Sequence, residues 1–271
     1  MKIAVVIPAY NEEKNILNAL KSLINQTIKP NAIVVVNDGS TDNTALVVRD
    51  FKKNHEDFNV HLLNLKRSTG YGVGYSRNLF MGKEWLDGNS IQYDYLMVLD
   101  ADQRLAPNYI KLCVDAFDDN VAIVGGRTHG TKFNPIQPRG AHRLLSKEFL
   151  GKFPFPLTYA TDSYHFYAAL QNGYFVKVIK DAIAYEVRKR HASSIDNFWR
   201  GRECYRIGYS VQYLLGRVVN NIVVFKSMKP LLMLYGFLFS LLGKDKRFSI
   251  AKKISSYQKA RIKKILLRLL P

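Results

Sequence analysis

Three observations predict an α/β fold with a mostly parallel central sheet covered by helices on both faces. Short, near-continuous apolar runs recur through the first half of the chain, without the alternation of a sheet that has one wet face. Segments with apolar residues at helical spacing lie between them. The runs also end in polar residues, and in such sheets ligands bind beyond the carboxyl ends of the strands.

The elements follow in order. "IAVVIP" (3–8) reads as a first strand rather than a signal peptide, because only Lys2 precedes it and no small-residue cleavage site follows. Ile16, Leu17, Leu20, Leu23 and Ile24 recur at helical spacing. "AIVVVND" (32–38) is a second strand, and Ser40 or Thr41 is the expected cap of a helix carrying Val47, Val48 and Phe51. "VHLLNL" (60–65) is a third strand, followed by a glycine-rich turn and a helix through Trp85. "YLMVLD" is a fourth, with Pro107 placed in the first turn of the next helix, and "VAIVGG" (121–126) a fifth. Beyond Gly126, proline-punctuated loops flank a short helix. A helix is then expected from Asp162 to Gly173, then the strand-like "YFVKVI" and "AIAYEV", then a helix capped by Ser193 or Ser194.

The net charge of +18 is unevenly placed. From Arg188 onward 19 lysines and arginines face 3 acids, whereas the residues before it hold 21 against 19. An anionic partner for the C-terminal third follows. Nucleic acid is not expected, because the basic residues there alternate with aliphatics and lack aromatic stacking platforms. Cys113 and Cys204 make no metal or redox spacing, which suits a reduced, cytoplasmic setting.

The stretch "YLMVLDADQRLAP" (95–107) puts Asp100 and Asp102 at the end of an apolar strand, where burying charge is costly without compensation. A helix-capping turn before Pro107 is one reading. A hard divalent cation, Mn²⁺ or Mg²⁺, is the other, since such ions take one or two carboxylates plus phosphate oxygens. "PAYNEE" and "NDGSTD", at the ends of strands one and two, bring further acids to the same rim. The glycines of "STGYGVGYS" (68–76) follow the third strand and lack dinucleotide-fingerprint spacing, and no phosphate-binding Gly-x-x-x-x-Gly-Lys loop is present.

"VVIPAYNEEKNI", "VVVNDGSTDNT", "GVGYSRN", "VLDADQRLAPNYI" and "YATDSYHFYAALQNG" occur in the order seen in family 2 glycosyltransferases, which the chain resembles over roughly residues 1 to 190. The resemblance implies a GT-A fold and an inverting, metal-dependent transfer from a UDP- or GDP-sugar to an acceptor hydroxyl or phosphate. It implies that Pro8, Ala9, Tyr10 and Glu12 hold the nucleoside and that Asp38 accepts a hydrogen bond from the base; an Asx-turn before Gly39 is the alternative for Asp38. Arg77 falls on the donor side. Asp100, with the intervening Ala101, faces ribose and metal, and Asp102 is the metal ligand bridging to the diphosphate. Asp162 aligns with the base that deprotonates the acceptor, or serves as a helix N-cap. The family often carries an acid before this Asp, where this chain has Thr161. His191 falls where some relatives complete the metal shell, or is merely solvated. "NFWRGRECYRIG" only loosely matches the Gln-x-x-Arg-Trp motif of processive synthases, which speaks against processive polymerisation.

Residues 1–217 are therefore expected to form the catalytic domain and 218–271 a basic, helical, amphipathic tail. "LLMLYGFLFSLLG" (231–243) is too short to span a bilayer. Ile250, Ile254, Tyr257, Ile265 and Leu269 line one face of a lysine-rich helix, suited to an anionic membrane surface. Packing on the domain and an oligomer interface are the alternatives. Peripheral docking on the cytoplasmic leaflet would favour a lipid-linked or glycan acceptor. The competing functions are a polyanion- or membrane-binding module with a decayed site, and a sugar-phosphate nucleotidyltransferase. The latter opens with a glycine-rich, Arg-containing loop, unlike "PAYNEE".

Overall fold

The computed structural model describes residues 1–68, 73–188 and 193–267. The chain divides into two compact units, one of residues 1–157 and 172–189, the other of residues 158–171 and 190–271. This division differs from the expected boundary at 217/218.

The first unit holds an eight-stranded mixed sheet. Its strands are β1 (Ile3–Ala9), β2 (Ala32–Asp38), β3 (Val60–Leu65), β4 (Tyr95–Leu99), β5 (Gln103–Leu105), β6 (Val121–Thr128), β7 (His142–Ser146) and β8 (Phe175–Glu186), in the order β3-β2-β1-β4-β7-β6-β8-β5. β3, β2, β1 and β4 run parallel, and these four match the first four expected strands. Beyond β4 the sheet is mixed: β6 and β8 are parallel, β7 is antiparallel to both β4 and β6, and β5 is antiparallel to β8, so parallel pairings still outnumber antiparallel ones as expected. The segment expected as a short helix between the proline loops is strand β7 followed by α5 (Lys147–Lys152). "HRLLS" pairs on both sides with β4 and β6, and that pairing overrides its local ambiguity. "YFVKVI" and "AIAYEV" merge into the single strand β8.

Helices cover both faces. α1 (Ile16–Ile24), α2 (Thr44–Asn54) and α4 (Tyr109–Val114) pack on the face carrying Ile3, Val5, Ile7, Met97, Leu99 and Leu144. α3 (Val73–Gly88) packs on the opposite face of β1 and β2, where a Cβ on Gly82 would lie 2.5 Å from Val6 Cγ1. Pro107 is not in a helical first turn; α4 begins two residues later, with Asn108 as its N-cap, because Gln103–Leu105 is drawn into the sheet.

The second unit is helical: α6 (Thr161–Gln171), α7 (Ser194–Arg206), α8 (Val211–Phe225), α9 (Leu232–Leu242) and α10 (Ala251–Leu267). Ser193 caps α7 in a capping box with Asp196. α7 and α9 meet at their backbones: a Cβ on Gly201 would stand 2.0 Å from the Met233 carbonyl oxygen, and one on Gly236 2.0 Å from that of Phe198. This contact makes Gly201 and Met233 neighbours in one unit, and explains why the compact unit begins well before residue 218. α10 buries Ala251, Ile254 and Gln258, with the Gln258 side chain bonded to the Ser210 amide and the Tyr167 hydroxyl. Over that stretch, the face expected to rest on a membrane lies inside the unit.

Candidate active site

The carboxyl ends of β1, β2 and β4 converge because the three strands are neighbours running the same way. Pro8 and Ala9, closing β1, are buried, while Tyr10 projects to solvent. Asn11 adopts a left-handed φ of 54° and clasps the next loop: its amide donates to Ser40 Oγ, and its side-chain oxygen accepts from the Thr41 amide at 2.9 Å. Ser40 and Thr41 thus serve this clasp rather than capping α2, which starts only at Thr44 behind Asn43.

Asp38 closes β2 and is 1% exposed. Its carboxylate accepts from Arg67 Nη1 at 2.5 Å, from the Ser68 amide at 3.0 Å and from Ser68 Oγ at 2.9 Å. Arg77 reaches it at 3.5 Å and also donates to the Lys66 carbonyl at 3.0 Å. The Arg67 guanidinium carbon stands over the Tyr10 ring, 3.4 Å from its centroid, so the first and second strand ends share one cation that follows the third. Two glycines make the crowding possible. Gly39, at φ +66°, turns the chain away from Arg67, and a Cβ on Gly74 would collide with Ser68 Oγ.

Asp100 is half-buried and accepts from the Tyr75 hydroxyl at 2.8 Å, while its amide donates to the Ala141 carbonyl. Ala101 and Asp102 are buried, with Asp102 at 1% exposure. β5 and the end of β8 pair at Gln103 and Glu186, and the Val187 amide bonds the Asp102 carbonyl. That pairing delivers Arg188, whose Nη2 stands 2.6 Å from Glu12 Oε1 and 3.3 Å from Asp102 Oδ2. Glu12 is buried and is held further by the Asn15 side chain and the Thr44 hydroxyl. One guanidinium therefore compensates two carboxylates, one beyond β1 and one between β4 and β5.

Asp100 and Asp102 are oxygen donors two residues apart, the ligand type a hard divalent ion takes from protein carboxylates. Among the described residues no group of three or more His, Cys, Asp or Glu gathers as a protein-only metal cage.

Asp162 belongs to the second unit, half-buried in the first turn of α6. Within that unit, burial acts to release the Arg217 proton, but the fields of Tyr209, Cys204 and Asp162 outweigh it and hold the guanidinium above its ordinary pKa. His191 lies outside the described residues. The structure thus gathers Pro8, Ala9, Tyr10, Glu12, Asp38, Arg77, Asp100, Ala101 and Asp102 on one rim. Sequence reasoning missed Arg67, Ser68, Tyr75 and Arg188. Of these, Arg67 and Ser68 follow a strand end directly, which is the signal that could have marked them.

Residues 4–181 match Glycosyl transferase family 2. An uncharacterized protein of Methanocaldococcus jannaschii is 36% identical over 146 residues, covering 53% of this chain and 57% of that one. Poly-beta-1,6-N-acetyl-D-glucosamine synthase of Staphylococcus epidermidis is 35% identical over 111 residues, covering 40% of this chain and 24% of that one. The chain spans little more than half the length of the one and about a quarter of the other. Among solved structures, a mannosyltransferase from Pyrobaculum calidifontis in complex with GDP-Man and Mn²⁺ superposes with a TM-score of 0.63 at 15% identity, covering 96% of this chain and 80% of that one. S. aureus TarS 1-349 in complex with UDP-GlcNAc gives 0.57 at 20% identity, covering 75% of this chain and 65% of that one. The mixed sheet is the GT-A-type fold, and the chain belongs to glycosyl transferase family 2.

Proposed function

We propose that the protein transfers a sugar from a UDP- or GDP-sugar to an acceptor with inversion, using Mn²⁺ or Mg²⁺. The observation that carries this reading is the convergence of Glu12, Asp38, Asp100 and Asp102 on one strand-end rim, with Tyr10 exposed beside Asp38. Pro8, Ala9, Tyr10, Asp38 and Arg77 line the nucleoside end. Asp100 and Asp102 would hold the metal, which when bound supplies Lewis-acid neutralisation of the leaving diphosphate. The Tyr75 hydroxyl donates to the Asp100 carboxylate, and Arg188 balances Asp102 and Glu12. By the family resemblance, Asp162 would take the acceptor proton and His191 would serve as a further metal ligand. The Mn²⁺-bound mannosyltransferase and the UDP-GlcNAc-bound TarS structure support this donor class.

A titration of Mn²⁺ with UDP and with GDP tests the reading. Metal and the matching nucleotide together should raise the melting temperature well beyond either alone. Absence of synergy with either nucleotide overturns it.

The second unit supports an acceptor at a membrane surface. α8 turns Leu214 and Val218 inward and leaves Val211, Leu215, Val219 and Val223 exposed at four-residue spacing. α9 leaves Tyr235, Leu238 and Leu242 exposed, and exposed Lys226, Lys229, Lys244 and Lys246 lie close by in sequence. An apolar ridge with basic neighbours suits the interface of an anionic leaflet. Among the described residues, no helix is long and apolar enough to cross a membrane.

A further inference from the structure

Strand β7 reads "HRLLS", and its arginine is the anomaly of the first unit. Arg143 is 2% exposed and ranks among the largest fully buried side chains, yet its Nε and Nη2 have no hydrogen-bond partner. Leu144 and Leu145 beside it are apolar and fully buried. A buried guanidinium with unpaired nitrogens is among the most costly groups a core can hold. An apolar side chain of similar volume would ordinarily be more stable there, so the charge calls for a role outside folding.

The register places it. Arg143 stands opposite Val98 of β4 and opposite Gly125 of β6. Directly opposed residues of an antiparallel pair share a sheet face, and Asp100, two residues beyond Val98, points the same way. The Tyr75 hydroxyl meeting Asp100 identifies this as the α3 face, opposite the one that buries His142 and Leu144 against α4. Along the strand, Arg143 lies about 7 Å from the Asp100 rung, a distance an extended arginine spans. On its other flank Gly125 carries no side chain, and Pro138 of the proline-punctuated loop closes over it: a Cβ on Gly125 would meet Pro138 Cβ at 2.7 Å and Arg143 Cβ at 3.4 Å. The Arg143 side chain thus leaves the sheet on the Asp100 face, flanked by Gly125 and by Pro138 of the loop.

We propose that Arg143 is a specificity-determining residue that pairs with a carboxylate or phosphate on the transferred sugar or on the acceptor. The planar fork of an arginine matches those groups with two parallel N–H···O bonds. This proposal rests on the glycosyltransferase reading, because Asp100 marks the donor side of the rim.

The test uses the full chain with Mn²⁺ and compares wild type with Arg143→Met and Arg143→Lys by calorimetric titration. Inorganic phosphate is the first probe. The donor pairs are UDP-glucuronate against UDP-glucose and GDP-mannuronate against GDP-mannose; the acceptor pair is glycerol 3-phosphate against glycerol. Wild type should favour the anionic member of at least one pair by about 10- to 100-fold. Arg143→Met should level that preference and weaken phosphate binding, Arg143→Lys should keep part of it, and UDP or GDP affinity should stay unchanged. The pair that responds identifies donor or acceptor as the source. Equal preferences in wild type and Arg143→Met across all pairs, with unchanged phosphate binding, overturn the proposal. The phosphate arm requires no nucleotide, so failure of the donor reading, seen as no UDP or GDP binding to either protein, is separable from failure at Arg143.

Discussion

Arg188 Nη2, shared between Glu12 and Asp102, compensates two buried carboxylates of the rim. Roles within it separate by substitution. Asp102→Asn keeps shape but removes the charge, and turnover should fall more than about 100-fold, measured as nucleoside diphosphate release. Tyr75→Phe removes the hydroxyl that donates to Asp100, so metal-dependent nucleotide affinity should weaken by about 10- to 100-fold while the fold is retained. Retained affinity in Tyr75→Phe would show that Asp100 needs no such support.

At the scale of elements, a buried polar cluster ties three of them together. His142 of β7 meets the Tyr109 hydroxyl of α4 at 2.8 Å and the Thr128 hydroxyl of β6 at 2.9 Å. Tyr109 also donates to the His142 carbonyl and accepts from the Gly126 amide. Burial, with a smaller contribution from Arg139, pushes the His142 pKa down to about 4. The unfolded chain binds this proton near pH 6.5. Stability from the neutral ring is therefore fully present above about pH 6.5 and is lost as pH falls toward 4. Unfolding by urea should show a loss of about 2 kcal/mol from this group between pH 7.5 and 5, and His142→Gln should flatten that part of the slope. In the second unit, Gly201→Ala forces a methyl group into the Met233 carbonyl. It should destabilise α7–α9 packing by about 1–3 kcal/mol or more, read as a lower denaturation midpoint.

For the whole molecule, the proposed membrane docking joins the basic charge to the exposed apolar side chains of α8 and α9. The protein should co-sediment with vesicles rich in anionic lipid and much less with neutral ones, and binding should weaken as salt screens the lysines. Replacing Val223, Leu238 and Leu242 with Glu should reduce vesicle binding at least about 10-fold. Unchanged binding would remove the ridge from the docking surface.

Much of this architecture is legible in local patterns. The first four strands show as apolar runs because a parallel strand buried on both faces must be apolar throughout, and Asp38, Asp100 and Asp102 stand out because they terminate such runs. α10 shows the limit of the same reasoning: its amphipathic pattern is plain in the sequence, but periodicity does not say whether Ile254 faces lipid or Gln258's neighbours in the unit, and the structure buries it. β7 and β5 are short, and their identity comes from partners far along the chain.

The sequence by itself determined the sheet-and-helix class, the rim of acids and the charge asymmetry, since each is written in spacing and composition. Tertiary packing is what makes Arg188 bridge Glu12 and Asp102, sets Arg67 over Tyr10 while it holds Asp38, and buries Arg143 beside Val98 with two nitrogens unpaired. Strand pairing and loop packing bring those groups together across up to 176 positions of sequence, a separation that no local periodicity encodes.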